Sequence, residues 1–122
     1  MSDKTCITDC IRFMTGIASI PHFFENNVPT ASWSLLRHDL RKRGLDLGLF
    51  EVPDPYDWMA QNNPFMEYML LCQTAVGNHA VVCKNGVIIH DPSPHKHPVI
   101  GKHSLGIWIV GFIVKNRVPL VT

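Results

Sequence analysis

Two apolar, β-rich runs, residues 79–83 and 87–91, flank Lys84-Asn85-Gly86, and this hairpin signature constrains the fold more than any other feature of the chain. Asn-Gly supplies the positive φ angles that a tight turn between twisted strands requires. Further strand-like runs follow at residues 105–114 and 118–121. Two helical patterns precede them. Over residues 6–15, Cys6, Cys10, Phe13 and Ile17 lie on one stripe that Ile7, Ile11 and Met14 widen, with Thr5 the expected N-cap and Gly16 the expected stop. Cys6 is then the first helical residue. Over residues 32–43, Trp33, Leu36 and Leu40 face inward and Gly44 ends the helix. Helices first and strands afterwards predict an α+β fold with an antiparallel sheet.

Between these patterns the signals weaken. Ile20-Pro21-His22-Phe23-Phe24 and Asn26-Asn27 read as a connector. Residues 53–64, rich in Pro and Asn, read as a long surface loop of the kind on which sites are built. The run Tyr68-Met69-Leu70-Leu71 suits a short buried strand, although Asn63-Pro64 is equally able to start a helix. A chain of 122 residues fits one domain over residues 1–122, and that length buries roughly two-thirds of its unfolded surface without a disulfide or metal.

Composition narrows the function. Hydrophobic residues make up 46% and charged residues 17%, which is globular and too apolar for disorder. Eleven Lys+Arg against ten Asp+Glu give a formal charge of +1, too small a field for gripping nucleic acid or an anionic membrane. The basic stretch over residues 37–43 is interrupted by Asp39 and reads as a solvated helix face. The longest apolar stretch, residues 105–114, is ten residues long, right for a buried strand and too short for a bilayer. Met1-Ser2-Asp3-Lys4 leads into a mixed run rather than an apolar signal region. The expected compartment is therefore the cytoplasm, with Cys6, Cys10, Cys72 and Cys83 as free thiols.

Three features carry chemistry. Cys6 stands at the expected start of a helix, where unpaired N–H groups and the positive end of the helix dipole favour a thiolate. His79 opens one strand of the hairpin and Asp91 closes the other. A two-residue Asn85-Gly86 turn pairs Ala80 with Asp91 and places Asp91 opposite to His79 across the sheet. A three-residue turn with Gly86 in a left-handed bulge pairs His79 directly with Asp91. The second arrangement gives an imidazole oriented by a carboxylate, the base half of a cysteine nucleophile system. The expected hairpin is that one.

The segment Thr5-Cys6-Ile7-Thr8-Asp9-Cys10-Ile11, continuing through Thr15-Gly16-Ile17 to Ile20-Pro21-His22-Phe23, resembles the N-terminal helix of small papain-like cysteine peptidase domains, including ones common in phages and prophages. Gly77-Asn78-His79-Ala80-Val81-Val82, followed by Asn85-Gly86 and His90-Asp91-Pro92, resembles the second half of the same pattern. The peptidase domains of bacteriocin exporters show a similar arrangement. The resemblance implies a papain-like α+β domain whose N-terminal helix carries the cysteine and packs on an antiparallel sheet. It implies Cys6 as nucleophile, His79 as base and Asp91 as orienting acid. Such enzymes usually carry a Gln a few residues before the nucleophile, and residues 1–5 contain none. The backbone N–H groups at the helix start, including that of Cys6, are one source of oxyanion donors, and Gln73, Asn78 or the Asn62-Asn63 loop a second.

His90, His95, His97 and His103 crowd into one Pro-rich stretch, but no Cys lies near enough in sequence to complete a closed zinc pattern. No metal site is expected there, and the loop is placed to line a substrate groove. The residues together with this resemblance imply a cytosolic phage or bacterial hydrolase that cleaves an amide, peptide or thioester bond without a cofactor, acting on a peptide or protein, with neither nucleic acid nor membrane as the expected partner. The reading from a different class is a catalytically inactive module of the same fold, such as a phage-encoded inhibitor of a host protein.

Overall fold

The computed structural model describes residues 3–93 and 97–115. Helix α1 (Asp3–Thr15) and a single 3₁₀ turn at Phe23–Glu25 lead into α2 (Pro29–Lys42). There follow strand β1 (Leu45–Val52), helix α3 (Asp57–Asn62), and strands β2 (Glu67–Thr74), β3 (Gly77–Lys84), β4 (Val87–His90), β5 (Val99–Lys102) and β6 (Trp108–Lys115). Every pairing is antiparallel, in the order β1-β6-β2-β3-β4. The fold is α+β. The strand run expected at residues 118–121 lies outside the described residues.

β2 resolves as a strand, and it organises the sheet. It pairs with β3 along its whole length, from Glu67↔Lys84 to Thr74↔Gly77. On its other side it changes partner part-way: Met69, Leu70 and Leu71 pair with β6, whereas Cys72, Gln73 and Thr74 pair with β5. The chain between β5 and β6 must therefore leave the sheet at that point.

Alternation along β2 and β3 divides the core in two. Met69, Leu71, Ala80 and Val82 face α1 and α2 and pack with Cys6, Ile7, Cys10, Ile11, Leu36 and Leu40. Leu70, Cys72, Val81 and Cys83 join Tyr68, Val52, Met59 and Val110 in a second cluster. Full burial of an aliphatic side chain such as Leu36 or Leu40 contributes about 1.5–3 kcal/mol.

Several local expectations need correction. α1 is already helical at Asp3, so Thr5 is not its cap and Cys6 is its fourth residue. Gly16 does end it, at φ 72°, with its N–H donating to the Arg12 carbonyl at 2.8 Å. α2 starts at Pro29 rather than Ser32, because the fixed φ of Pro suits a first helical position that needs no N–H donor. Ser32 is instead buried one turn in, its hydroxyl donating to the Val28 carbonyl at 2.9 Å. The expected long loop at 53–64 contains α3, whose Met59 is fully buried. A helix of six residues does not persist by propensity alone. It is held by that side chain and by an entry turn in which Tyr56 N–H donates to Asp54 Oδ1 at 2.7 Å.

Candidate active site

The hairpin reaches the expected contact by another route. Lys84 pairs with Val87, so the turn has two residues, with Asn85 at φ 53° and Gly86 at φ 74°. That is the left-handed pair a type I′ turn demands. No other residue fits at 86, because a Cβ there would meet the Tyr56 carbonyl oxygen at 2.7 Å. Left regular, this turn would carry Asp91 to the wrong face. It is not left regular. Cys83 pairs with Ile88, but the next pair is Val82 with His90, so Ile89 is an extra residue in β4. The bulge shifts the phase of everything beyond it. Asp91 follows immediately, and its Oδ1 lies 2.7 Å from His79 Nε2. The same oxygen accepts the Ser93 N–H at 2.9 Å, which fixes the carboxylate over the Asp91-Pro92 turn.

Both partners are withdrawn from water, with side-chain exposures of 5% for His79 and 11% for Asp91. A carboxylate on Nε2 places the ring proton there and leaves Nδ1 as the basic nitrogen.

Cys6 reaches the same place from the helix. It is buried, and it lies at the base of a cleft of about 570 Å³ that His79 also lines. Arg12 secures the approach by donating Nε and Nη2 to the Ile20 carbonyl at 2.9 and 2.6 Å, tying the connector to α1. The connector and α2 then supply one wall, where Phe24 and Trp33 meet edge to face at 4.9 Å. Because α1 is already helical at Asp3, Cys6 is its fourth residue and the Cys6 N–H lies where the helical ladder begins rather than among the unpaired donors. The dipole argument survives only in weaker form, since Cys6 is still within the first turn.

The other three cysteines are unlike Cys6 in setting. All four are free thiols in the structure. Burial, with Cys6, Asp9, Asp91 and Cys72 adding to it, pushes the Cys10 thiol well above its ordinary range. Burial likewise pushes Cys72 up to about 12, with Cys83, Cys6 and Asp91 reinforcing the shift. Burial pushes Cys83 up to about 12 against a hydrogen bond with Tyr68 that opposes it.

The oxyanion candidates separate. Gln73 does not line the cleft, and neither do Asn62 and Asn63, which belong to α3 and its end. Asn78 does line it, but its amide is engaged: Nδ2 donates to Ser104 Oγ at 2.9 Å and Oδ1 accepts the Ser104 N–H at 3.1 Å. One Nδ2 hydrogen lies beyond that pair of bonds.

The histidine-rich stretch is dispersed. His90 stacks on Phe13 at 4.3 Å, His95 lies outside the described residues, and His103 lines the cleft, its Nδ1 accepting the Leu105 N–H at 3.3 Å. Among the described residues no group of three His, Cys, Asp or Glu is arranged to hold a metal ion. Nor is any described helix long and apolar enough to cross a membrane. Sequence reasoning missed the walls of the cleft, to which Leu49 and Leu105 contribute. The placing of the histidine loop beside a groove was its one signal.

No family model, curated protein or solved structure matches the chain.

Proposed function

We propose that the protein is a papain-like cysteine hydrolase that cleaves an amide or peptide bond, or a thioester, with Cys6 as nucleophile, His79 as base and Asp91 as the acid that orients it. The observation that carries this reading is that His79, held by Asp91 at 2.7 Å, lines the same cleft as Cys6. Sγ of Cys6 attacks the substrate carbonyl carbon while His79 Nδ1 takes the thiol proton. The tetrahedral intermediate collapses, the bond to the leaving amine or thiol breaks, and His79 returns the proton to that leaving group. Water, activated by the same imidazole, then hydrolyses the acyl-thioester and restores the thiol. Asp91 holds the ring proton on Nε2 throughout. The amide hydrogen of Asn78 not used by Ser104 is the side-chain donor assigned to the oxyanion. Losing one such donor typically costs about 10²–10³ in rate. No cofactor takes part, and four free thiols suit a reducing compartment such as the cytoplasm of a bacterium or a phage host.

One observation favours the inactive module of the same fold: Cys6 is fully buried at the base of its cleft. Labelling with a tagged electrophile decides between the two. The hydrolase acquires one adduct, on Cys6, absent in Cys6→Ser and formed about tenfold more slowly near neutral pH in His79→Ala. Equal labelling of all four cysteines, with no effect of His79→Ala, rejects the hydrolase and leaves a binding role.

A further inference from the structure

Resting on the hydrolase reading, we infer that residues 103–106 form the specificity wall of the cleft and select peptides with a large, uncharged apolar side chain next to the reacting carbonyl. The wall exists because β2 changes partner: Leu71 pairs with Ile109 of β6, but the next residue, Cys72, pairs with Lys102 of β5. The intervening chain is extruded from the sheet and folds into a turn, Gly106 N–H donating to the His103 carbonyl at 2.8 Å. The two bonds between Asn78 and Ser104 latch that turn to the residue preceding His79. Thus the strand that carries the base also sets the position of the wall.

The turn presents Leu105, 68% exposed, to the cleft that Phe24 and Trp33 also line. An exposed leucine and two aromatic rings lining one cleft gain when an apolar side chain enters it. Among the described residues no Asp, Glu, Lys or Arg lines the cleft, so a charged side chain would lose water there with only the imidazoles of His79 and His103 to meet it. The amides of Asn27 and Asn78 and the hydroxyl of Ser104 suit the backbone of a peptide rather than a bare acyl chain.

The test uses three peptidyl acyloxymethyl ketones that differ only in the side chain beside the ketone: Leu, Asp or Lys. In each, Cys6 sulfur forms a bond to the methylene carbon as the carboxylate departs. Rates at Cys6 are read by mass spectrometry and divided by the rate with iodoacetamide on the same protein. The Leu probe is expected to react about tenfold or more faster than the Asp and Lys probes. Leu105→Asp, at an exposed position that tolerates the change, is expected to move the preference at least fivefold toward Lys. Equal normalised rates for the three probes, or an unchanged profile in Leu105→Asp, overturn the inference while fast iodoacetamide labelling leaves the hydrolase standing. A Cys6 that iodoacetamide does not label first among the four cysteines sinks both.

Discussion

The two faces of the sheet are made from alternating residues of the same strands, yet one is sealed and the other is open. On the sealed face, Tyr68, Leu70, Val81 and Cys83 meet Val52, Met59 and Val110, and α3 closes over them. The Tyr68 hydroxyl donates to the Pro55 carbonyl, so even the polar tip is satisfied inside. On the open face, α1 and α2 leave a cleft of about 570 Å³ against the sheet, and residues Asn78, His79 and His103 at its end line that cleft. The difference lies in what breaks the regular pattern. The sheet is irregular where β2 changes partner and shifts register on β5, and where β4 carries an extra residue. The first sends Ser104 and Leu105 to the cleft, and the second precedes the carboxylate that holds His79, a lining residue. Regular alternation built the core; its interruptions built the candidate site.

The contrast is sharpest in two buried thiols. Cys83, held at about 12 mainly by desolvation, has a vanishing thiolate fraction near neutral pH, and Cys72 matches it. In the proposed triad the Cys6 thiol can hand its proton to the His79 imidazole, an outlet that desolvated thiols such as Cys72 and Cys83 lack. At about pH 6, Cys6 should be alkylated more than ~100-fold faster than Cys72 or Cys83, with Cys10 also slow. Time-resolved peptide mapping after iodoacetamide treatment reads this directly. Similar rates at Cys6 and Cys83 would erase the chemical difference between the faces.

How much of this was legible follows from the same irregularities. Asn85-Gly86 announced the hairpin, and His79 and Asp91 were readable as its ends. The bulge at Ile89 was not readable, because Val87, Ile88 and Ile89 form an unbroken apolar run with no Gly to mark an extra residue. The contact therefore came through a two-residue turn and a bulge rather than through a three-residue turn. β1 was passed over although Leu45, Leu47 and Leu49 alternate with Asp46 and Gly48, a period-2 signal in plain view. α3 was hidden for a better reason: six residues are too few to show a helical period, and only tertiary burial of Met59 reveals it. The helix start before Cys6 was missed because Thr5 is a good cap residue and Asp3-Lys4 carries no apolar stripe.

A second test asks whether stability and chemistry divide between the faces. Leu70 is fully buried in the sealed cluster, while Leu105 stands on the open one. Leu70→Ala should destabilise the protein by about 2–5 kcal/mol through lost burial and an unfilled cavity. Leu105→Ala should stay within about 0.5 kcal/mol of the parent, as exposed substitutions do. Urea denaturation midpoints at a common slope measure both. If Leu105→Ala costs as much as Leu70→Ala, the turn at 103–106 is part of the core and not a wall that a ligand meets.

The smallest effect concerns how the open face is kept covered. α2 is held to β1 by Leu36 and Leu40 and by a charged clamp in which Arg37 Nε and Arg41 Nε each lie 3.1 Å from the Asp46 carboxylate. Burial pushes that carboxyl up, but hydrogen bonds from Arg37, the Leu47 N–H and Arg41 outweigh it and hold Asp46 at about 2. Its folded value is thus below the roughly 3.9 of an unfolded Asp. The stabilisation is present above about pH 4 and is lost as pH falls toward 2. The arginine side chains are 45% and 40% exposed, so solvent screening limits the clamp to roughly 1 kcal/mol or less. Asp46→Asn should lower stability by that amount at pH 7, by less in high salt, and by a small part of it near pH 2, where the parent carboxyl is itself about half protonated. Urea midpoints of parent and variant at pH 7 and near pH 2 should therefore converge. A gap that persists at low pH would mean that the clamp acts by shape and not by charge, and that the cover over the cleft is apolar like its counterpart on the sealed face.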